Sequence, residues 1–282
     1  MLHGLPNLFA SVSIETLVGG GSWFTQSVRK APFSPLAYGQ VEFSQQRAKI
    51  NWLLHCKKGD DSALLNLVEN LSFEAGLRGS KYLLSSALLD SEEFILLRRQ
   101  GFCIYGWEQY WQVNSAALAV LPENGTHWRR ATSIDQHDIL RFQRNHLTPT
   151  QRAVVPLADE VLPDFILIEN GSIQGTANVS FTSRCGVIRF LLDTRIVNPQ
   201  ECMRELTAIQ PSSHNNWYIQ QQAGQEWLEE HLRGLAQLAL PRRELLVKYF
   251  VIREKVPLSI LNHATENGHP DPVAPYIHSS KS

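Results

Sequence analysis

Neither sign of charge is in surplus. Lys and Arg number 26 against 27 Asp and Glu, so the chain lacks the basic excess that a nucleic-acid or anionic-membrane surface needs to hold phosphates. Long apolar runs are also missing: stretches such as Ala116–Leu121 fall far short of the roughly 18 residues that span a bilayer. The first residues show no basic segment followed by an apolar run, which argues against a secretory leader. Only four cysteines occur (Cys56, Cys103, Cys185 and Cys202), far apart and without a CxxC pair. That spacing excludes a disulfide framework and a zinc site, and the four read as reduced, mostly buried thiols. No nucleic acid, membrane or metal is therefore expected as a partner, and a cytoplasmic location is expected. What is present is a hydrophobic share of 43% with 19% charged residues, enough apolar surface for a globular core and too much for a disordered chain.

Two places punctuate the chain. From Asn114 to Trp128, Ala116, Ala117, Pro122, Asn124 and Gly125 follow one another without periodicity, which predicts a linker over 115–127. After Pro257, His, Pro, Gly and Ser accumulate, which predicts a flexible tail over 257–282. The rest divides into a first half, 1–114, and a second, 128–256.

In the first half, Gln40–Gln45 and Arg47–His55 alternate as two strands. From Ser62 to Gly76, Leu64, Leu65, Val68, Leu71 and Ala75 recur at helical spacing, and Arg78-Gly79 ends that helix. Lys81–Ala87 reads as a strand. A short helix, 92–100, follows, with Asp90 and Ser91 as N-cap candidates, Glu92 and Glu93 in its first turn and Arg98 and Arg99 in its last. Phe102–Val113 is a long aromatic strand. The second half repeats the order. It has a hairpin of Phe165–Glu169 and Ile173–Phe181 around Asn170-Gly171, a type I′ turn signal. Strand Val187–Leu192 and a helix from Pro199 to Ile209 come next. Strand Trp217–Gln222, helix Gln225–Leu235 and strand Glu244–Ile252 complete it. Two copies of one supersecondary plan is the simplest account.

The passage Glu74-Ala-Gly-Leu-Arg-Gly79, then Lys81–Asp90, then Leu97-Arg98-Arg99-Gln100-Gly101-Phe102 resembles the GNAT superfamily of acyl-CoA N-acyltransferases. There, a helix, a strand, a short helix and Arg-x-x-Gly-Phe lead into the final strands. The phrase has a mechanical reason: the helix reverses at a left-handed glycine and the next aromatic plugs the core. The likeness is specific over residues 40–113, weaker in the second half and poor over 1–38. It implies an α/β (mixed α+β) architecture of two GNAT-like domains in tandem. It also implies transfer of an acyl group from acetyl-CoA, or another acyl-CoA, to a small-molecule or peptide amine.

In that family the loop after the fourth strand grips pyrophosphate with backbone N–H groups and a helix N-terminus. Here the matching segment is Cys56-Lys57-Lys58-Gly59-Asp60-Asp61-Ser62. The resemblance thus nominates Lys57, Lys58, Gly59 and Ser62 for the cofactor. Only the middle glycine of the family pattern survives, and Asp60 and Asp61 would repel phosphates at short range. The same residues also read as an ordinary capped helix. In the second half, Asp193-Thr-Arg-Ile-Val-Asn-Pro-Gln200 holds no glycine, and Pro199 removes one N–H that a phosphate cradle would use. That site looks lost.

Acyl transfer needs a base to deprotonate the amine. Glu42 and His55 are the titratable groups on the central strands that can serve, each with an alternative reading as a solvated or structural residue. The short helix 92–100 has no tyrosine to act as the acid; Tyr105 and Tyr110 lie on the next strand. Three readings stand: a GNAT-like acyltransferase with a degenerate cofactor loop, a non-catalytic GNAT-fold ligand-binding or interaction protein, and an unrelated α/β protein copying the strand order.

Overall fold

The computed structural model describes residues 22–31, 34–44, 46–56, 61–114, 127–181, 185–209 and 216–250. The expected tail (257–282) and all of the expected linker except His127 lie outside these residues.

Among the described residues, twelve strands form one mixed sheet. The first half supplies β1 (Ser22–Ala31), β2 (Ser34–Ser44), β3 (Arg47–His55), α1 (Asp61–Leu77), β4 (Tyr82–Leu88), α2 (Glu92–Arg99) and β5 (Cys103–Asn114). The second supplies β6 (Trp128–Arg130), α3 (Gln136–His146), α4 (Pro149–Val154), β7 (Phe165–Glu169), β8 (Ser172–Phe181) and β9 (Cys185–Leu192). It continues with α5 (Pro199–Ile209), β10 (Asn216–Gln222), α6 (Glu229–Arg233), β11 (Leu238–Ala239) and β12 (Arg243–Tyr249). The strand order is β1-β2-β3-β4-β12-β5-β10-β9-β8-β7-β6, with β11 paired to β5. The last strand of the second half thus lies inside the sheet of the first, between β4 and β5, antiparallel to both. Beyond it β5 carries the ladder into the second half through β10.

The local reasons are those in the sequence. On α1, Leu64, Val68, Leu71 and Ala75 are buried against the sheet, with Leu67 beside them. Ser91 caps α2 by accepting from the Phe94 N–H at 3.1 Å. At the other end Gly101, with φ +85°, lets the chain turn, Arg98 donates to the Phe102 carbonyl at 2.7 Å, and Phe102 enters the core at 1% exposure. Asn170 and Gly171 both adopt positive φ (50° and 73°), the type I′ geometry.

Two core clusters result. One joins β2, β3, α1, β4 and α2 and takes in Leu246 from β12; the other joins β7–β10, α5 and α6 and takes in Trp111 and Val113 from β5. Each half thus completes its core with side chains of the other.

Several expectations change. β1 and the pair α3–α4 arise where no element was expected. The helix expected over 225–235 is a 3-10 turn (Glu226–Leu228) followed by the five-residue α6. Of the thiols only Cys202 is buried, while Cys56 and Cys103 are exposed, Cys56 because it lies just beyond the end of β3. Among the described residues no helix is long and apolar enough to cross a membrane.

Candidate functional site

β3 and β4 run parallel for only three pairs, Arg47↔Tyr82, Ala48↔Leu83 and Lys49↔Leu84, and then part. The cause is visible on the other side of β3. Val41 of β2 faces Ile50 but the next residue back, Gln40, faces Trp52, so Asn51 is an extra residue that bulges the strand. Past the last pair lies a narrow cleft of about 30 Å³, lined by Ile50, Trp52 and Leu53 of β3, Ser85 and Leu88 of β4 and Leu97 of α2. Asn51 is 1% exposed, and among the described residues neither its Oδ1 nor its Nδ2 has a hydrogen-bond partner; Nε2 of His55 is orphaned likewise. Each such buried polar atom costs about 1–3 kcal/mol.

A second, wider groove of about 420 Å³, open to solvent, lies at the same strand pair on the opposite face of the sheet. Lys49 and Leu84 line the groove, whereas Ile50 and Ser85, the next residues on each strand, line the cleft. Glu42 of β2 stands opposite Lys49 on the first-half wall; Asn178, Arg189 and Gln220 form the second-half wall. A buried chain of hydrogen bonds underlies that wall. Arg189 Nε donates to Gln220 Oε1 at 2.6 Å, and Gln220 Nε2 donates to Glu108 Oε2 at 2.6 Å. The Tyr110 hydroxyl donates to the same carboxylate oxygen at 3.3 Å. Burial pulls Lys49 below the ordinary lysine value, against the opposing pull of Glu108 and Glu42, and pushes Arg189 down to about 10. At the groove's rim Arg47 is paired with Glu160.

The two nominated bases are not brought together. His55 faces Ala37, five residues along β2 from Glu42, a span of about 16 Å at roughly 3.3 Å per residue. Glu42 lies at the groove; His55 closes the far end of β3. Ser62 is exposed at the second position of α1, next to Asp61 in the first turn, while Lys57, Lys58 and Gly59 lie outside the described residues. The residues missed by reading the sequence are Asn51, Glu108, Arg189 and Gln220. Asn51 and Arg189 had a signal, a lone polar or charged residue inside an apolar strand, in Ile50-Asn-Trp-Leu-Leu54 and Val187-Ile-Arg-Phe190; Glu108 and Gln220 stand beside other polar residues and had none.

No protein-family model matches the chain, and no curated protein matches it either. Solved structures do. A conserved protein of unknown function from Staphylococcus epidermidis superposes at a TM-score of 0.58 over 86% of this chain and 99% of its own, with 13% identity. A GCN5-related N-acetyltransferase from Sphaerobacter thermophilus superposes at 0.53 over 80% of each chain, also with 13% identity. The fold is that of the GCN5-related N-acetyltransferases.

The two halves of this GNAT fold differ at the strand parting. In the second half, β9 and β10 hold five parallel pairs, from Asn216↔Cys185 to Gln220↔Arg189. Where they separate, the side chain of Gln225 fills the gap: its Oε1 accepts from the Leu192 N–H and its Nε2 donates to the Leu192 carbonyl, both at 3.0 Å. The following loop is tied down as well. Arg195 makes a bidentate pair with the buried Asp193, whose carboxyl this partner holds at about 2. Arg195, the arginine of this loop, is therefore committed to a carboxylate.

Proposed function

We propose that this protein is an N-acyltransferase that takes its acyl group from acetyl-CoA, or another acyl-CoA, with one cofactor site per chain, in the first half. The observation that carries the reading is the parting of β3 and β4 at Lys49 and Leu84, with a narrow cleft on one face of the sheet and a wider groove on the other. The residues fit such a cofactor. Facing edges of β3 and β4 suit the two amides of a pantetheine arm in the way a sheet edge accepts an added strand. The bulge at Asn51, whose buried amide has no partner among the described residues, is what parts β3 from β4. The family resemblance assigns the pyrophosphate to the segment that leads into α1, of which Asp61 and Ser62 are the first described residues. A bound acyl-CoA would supply a thioester carbonyl open to attack by an amine. On the groove side Glu42 accepts the amine proton, and Lys49 opposite it holds compensating charge. His55 sits at the other end of the strand, away from the groove.

A second reading, a GNAT-fold protein that binds a ligand without turnover, draws on the acidic first turn of α1 at Asp61 and on the absence of tyrosine from α2. Calorimetric titration of the full chain with acetyl-CoA separates the possibilities. Binding that Gly59→Leu abolishes is expected, and no heat at millimolar cofactor removes both the enzyme and its site. Thiol release with a panel of primary amines then tests turnover. Glu42→Gln should lower it about 10²–10⁴-fold with acetyl-CoA affinity unchanged, and an unaffected rate would take the base role from Glu42.

A further inference from the structure

On the face of β8 and β9 that lines the groove, alternate residues form rows: Ser180 opposite Val187, Asn178 opposite Arg189, and Thr176 opposite Leu191. The first two rows belong to the groove, and the last two to a smaller pocket of about 200 Å³. Pro156 also lines both spaces. The pocket therefore lies one row further along the same face, a step of about 7 Å.

Opposite this floor stands the chain between α3 and β7, which turns Leu147, Val155, Pro156, Val161 and Pro163 toward the pocket. Gln143, a polar side chain of the lining, is spent within the wall: its Oε1 accepts the Ala158 N–H at 2.8 Å. Both halves hold the wall in place. The Tyr82 hydroxyl of β4 donates to the Val154 carbonyl at 3.2 Å, Arg47 of β3 is paired with Glu160, and Gln136 Nε2 of α3 donates to the Ala158 carbonyl at 3.0 Å. A wall fixed in advance loses little entropy when a ligand arrives. Val161 is 52% exposed although Ala158 and Pro163, close to it in the chain, are buried.

Resting on the acyltransferase reading, we propose that the acceptor is a small primary amine with an apolar substituent, its amine directed to Glu42 in the groove and its substituent seated in the pocket beside Val161. The space sets the size of that substituent. A cavity of about 150 Å³ holds a benzene ring, so this one suits a phenyl group or a chain of about six carbons. The transfer balances without any co-reactant. The amine nitrogen forms a bond to the acyl carbon, the carbon–sulfur bond breaks, Glu42 takes the amine proton, and the thiol leaves with a proton from solvent.

The test is equilibrium binding to the full chain by saturation-transfer NMR. The probes are the straight-chain alkylamines from ethylamine to octylamine, each paired with the amino alcohol of equal length. Each added methylene should tighten binding about threefold to fourfold until the pocket is full. Hexylamine should bind at least tenfold more tightly than 5-amino-1-pentanol. Val161→Asp should remove that preference, and Val161→Leu should keep it. Val197→Asp, at an 86% exposed valine outside the pocket, should leave it intact. Amines and amino alcohols bound alike, no binder in the series, or an unchanged preference in a folded Val161→Asp overturns the proposal. If Val161→Asp fails to fold, the paired series in the natural chain decides alone. Acetyl-CoA titration keeps the two ideas apart. A Val161-dependent amine site without cofactor binding overturns the acyltransferase reading but leaves the apolar pocket standing. Cofactor binding without a preference for apolar amines overturns the pocket alone.

Discussion

The side-chain amide of Gln225 holds both backbone polar groups of Leu192, donating to its carbonyl and accepting from its N–H at 3.0 Å each. It takes the place of a neighbouring strand where β10 has turned away from β9. Gln225 is 2% exposed, and its own carbonyl accepts from Gln221 at 2.9 Å, so the plug is itself fixed in place. Gln225→Ala orphans two buried backbone groups, at about 1–3 kcal/mol each. A lower urea midpoint with unchanged acetyl-CoA affinity is expected; equal midpoints would mean that water replaces the amide.

Asn51 predicts the opposite sign. Its two side-chain polar atoms are buried without partners among the described residues, so Asn51→Val should raise the stability of the cofactor-free protein by about 1 kcal/mol or more. The same change should weaken acetyl-CoA binding. Thermal unfolding and calorimetry read the two effects separately, and a destabilised variant would contradict the orphaned state of the amide.

Gly186 faces Trp217 across the parallel ladder, and a Cβ at Gly186 would lie 2.5 Å from the Trp217 ring. Trp217 is 1% exposed and has nowhere to move. Gly186→Ala should cost about 1–3 kcal/mol, read as a drop in the thermal midpoint.

Acid should loosen the loop after β9. The Asp193 carboxyl, held near 2 by Arg195, has an unfolded value of about 4. A depressed folded value means the contribution is complete above about pH 5 and fades as pH falls from 4 toward 2. Asp193→Asn should flatten that part of the stability–pH curve while lowering stability at pH 7. A curve parallel to that of the natural chain would assign the acid sensitivity elsewhere.

Thiol reactivity should divide along burial. Cys56 and Cys103 are exposed, whereas burial, reinforced by Glu205, pushes the Cys202 thiol up to about 12. Alkylation at pH 8 followed by mass spectrometry should label the first two in the folded protein and Cys202 only after denaturation.

Much of the fold was legible because alternation and helical spacing are local signals. β7 and α5 have the bounds that alternation and the Asn198-Pro199 cap predict, and α1 buries the apolar stripe on which it was identified. β1 was not legible, being a strand that pairs with β2 alone and leaves Trp23 42% exposed, so it shows no clean alternation. α3 was missed because it buries only Ile139, Phe142 and Gln143 from eleven residues. At the site, Glu42 was nominated from its residue type and lies in the groove; Arg189 was passed over, because a charge in an apolar strand has meaning only once its neighbours are known, and Gln220 because it is one of three glutamines in a row.

The order of residues dictated where helices start, where turns reverse and which faces are apolar, since caps, left-handed glycines and side-chain periodicity act within a few positions. It did not dictate that β12 enters between β4 and β5, or that Gln225 closes one strand parting while the other remains a cleft. Strand partners are chosen by backbone groups that every residue shares. Pairing across more than a hundred positions, Arg243 with Leu88 for example, is settled by how the two cores pack together and not by any local signal.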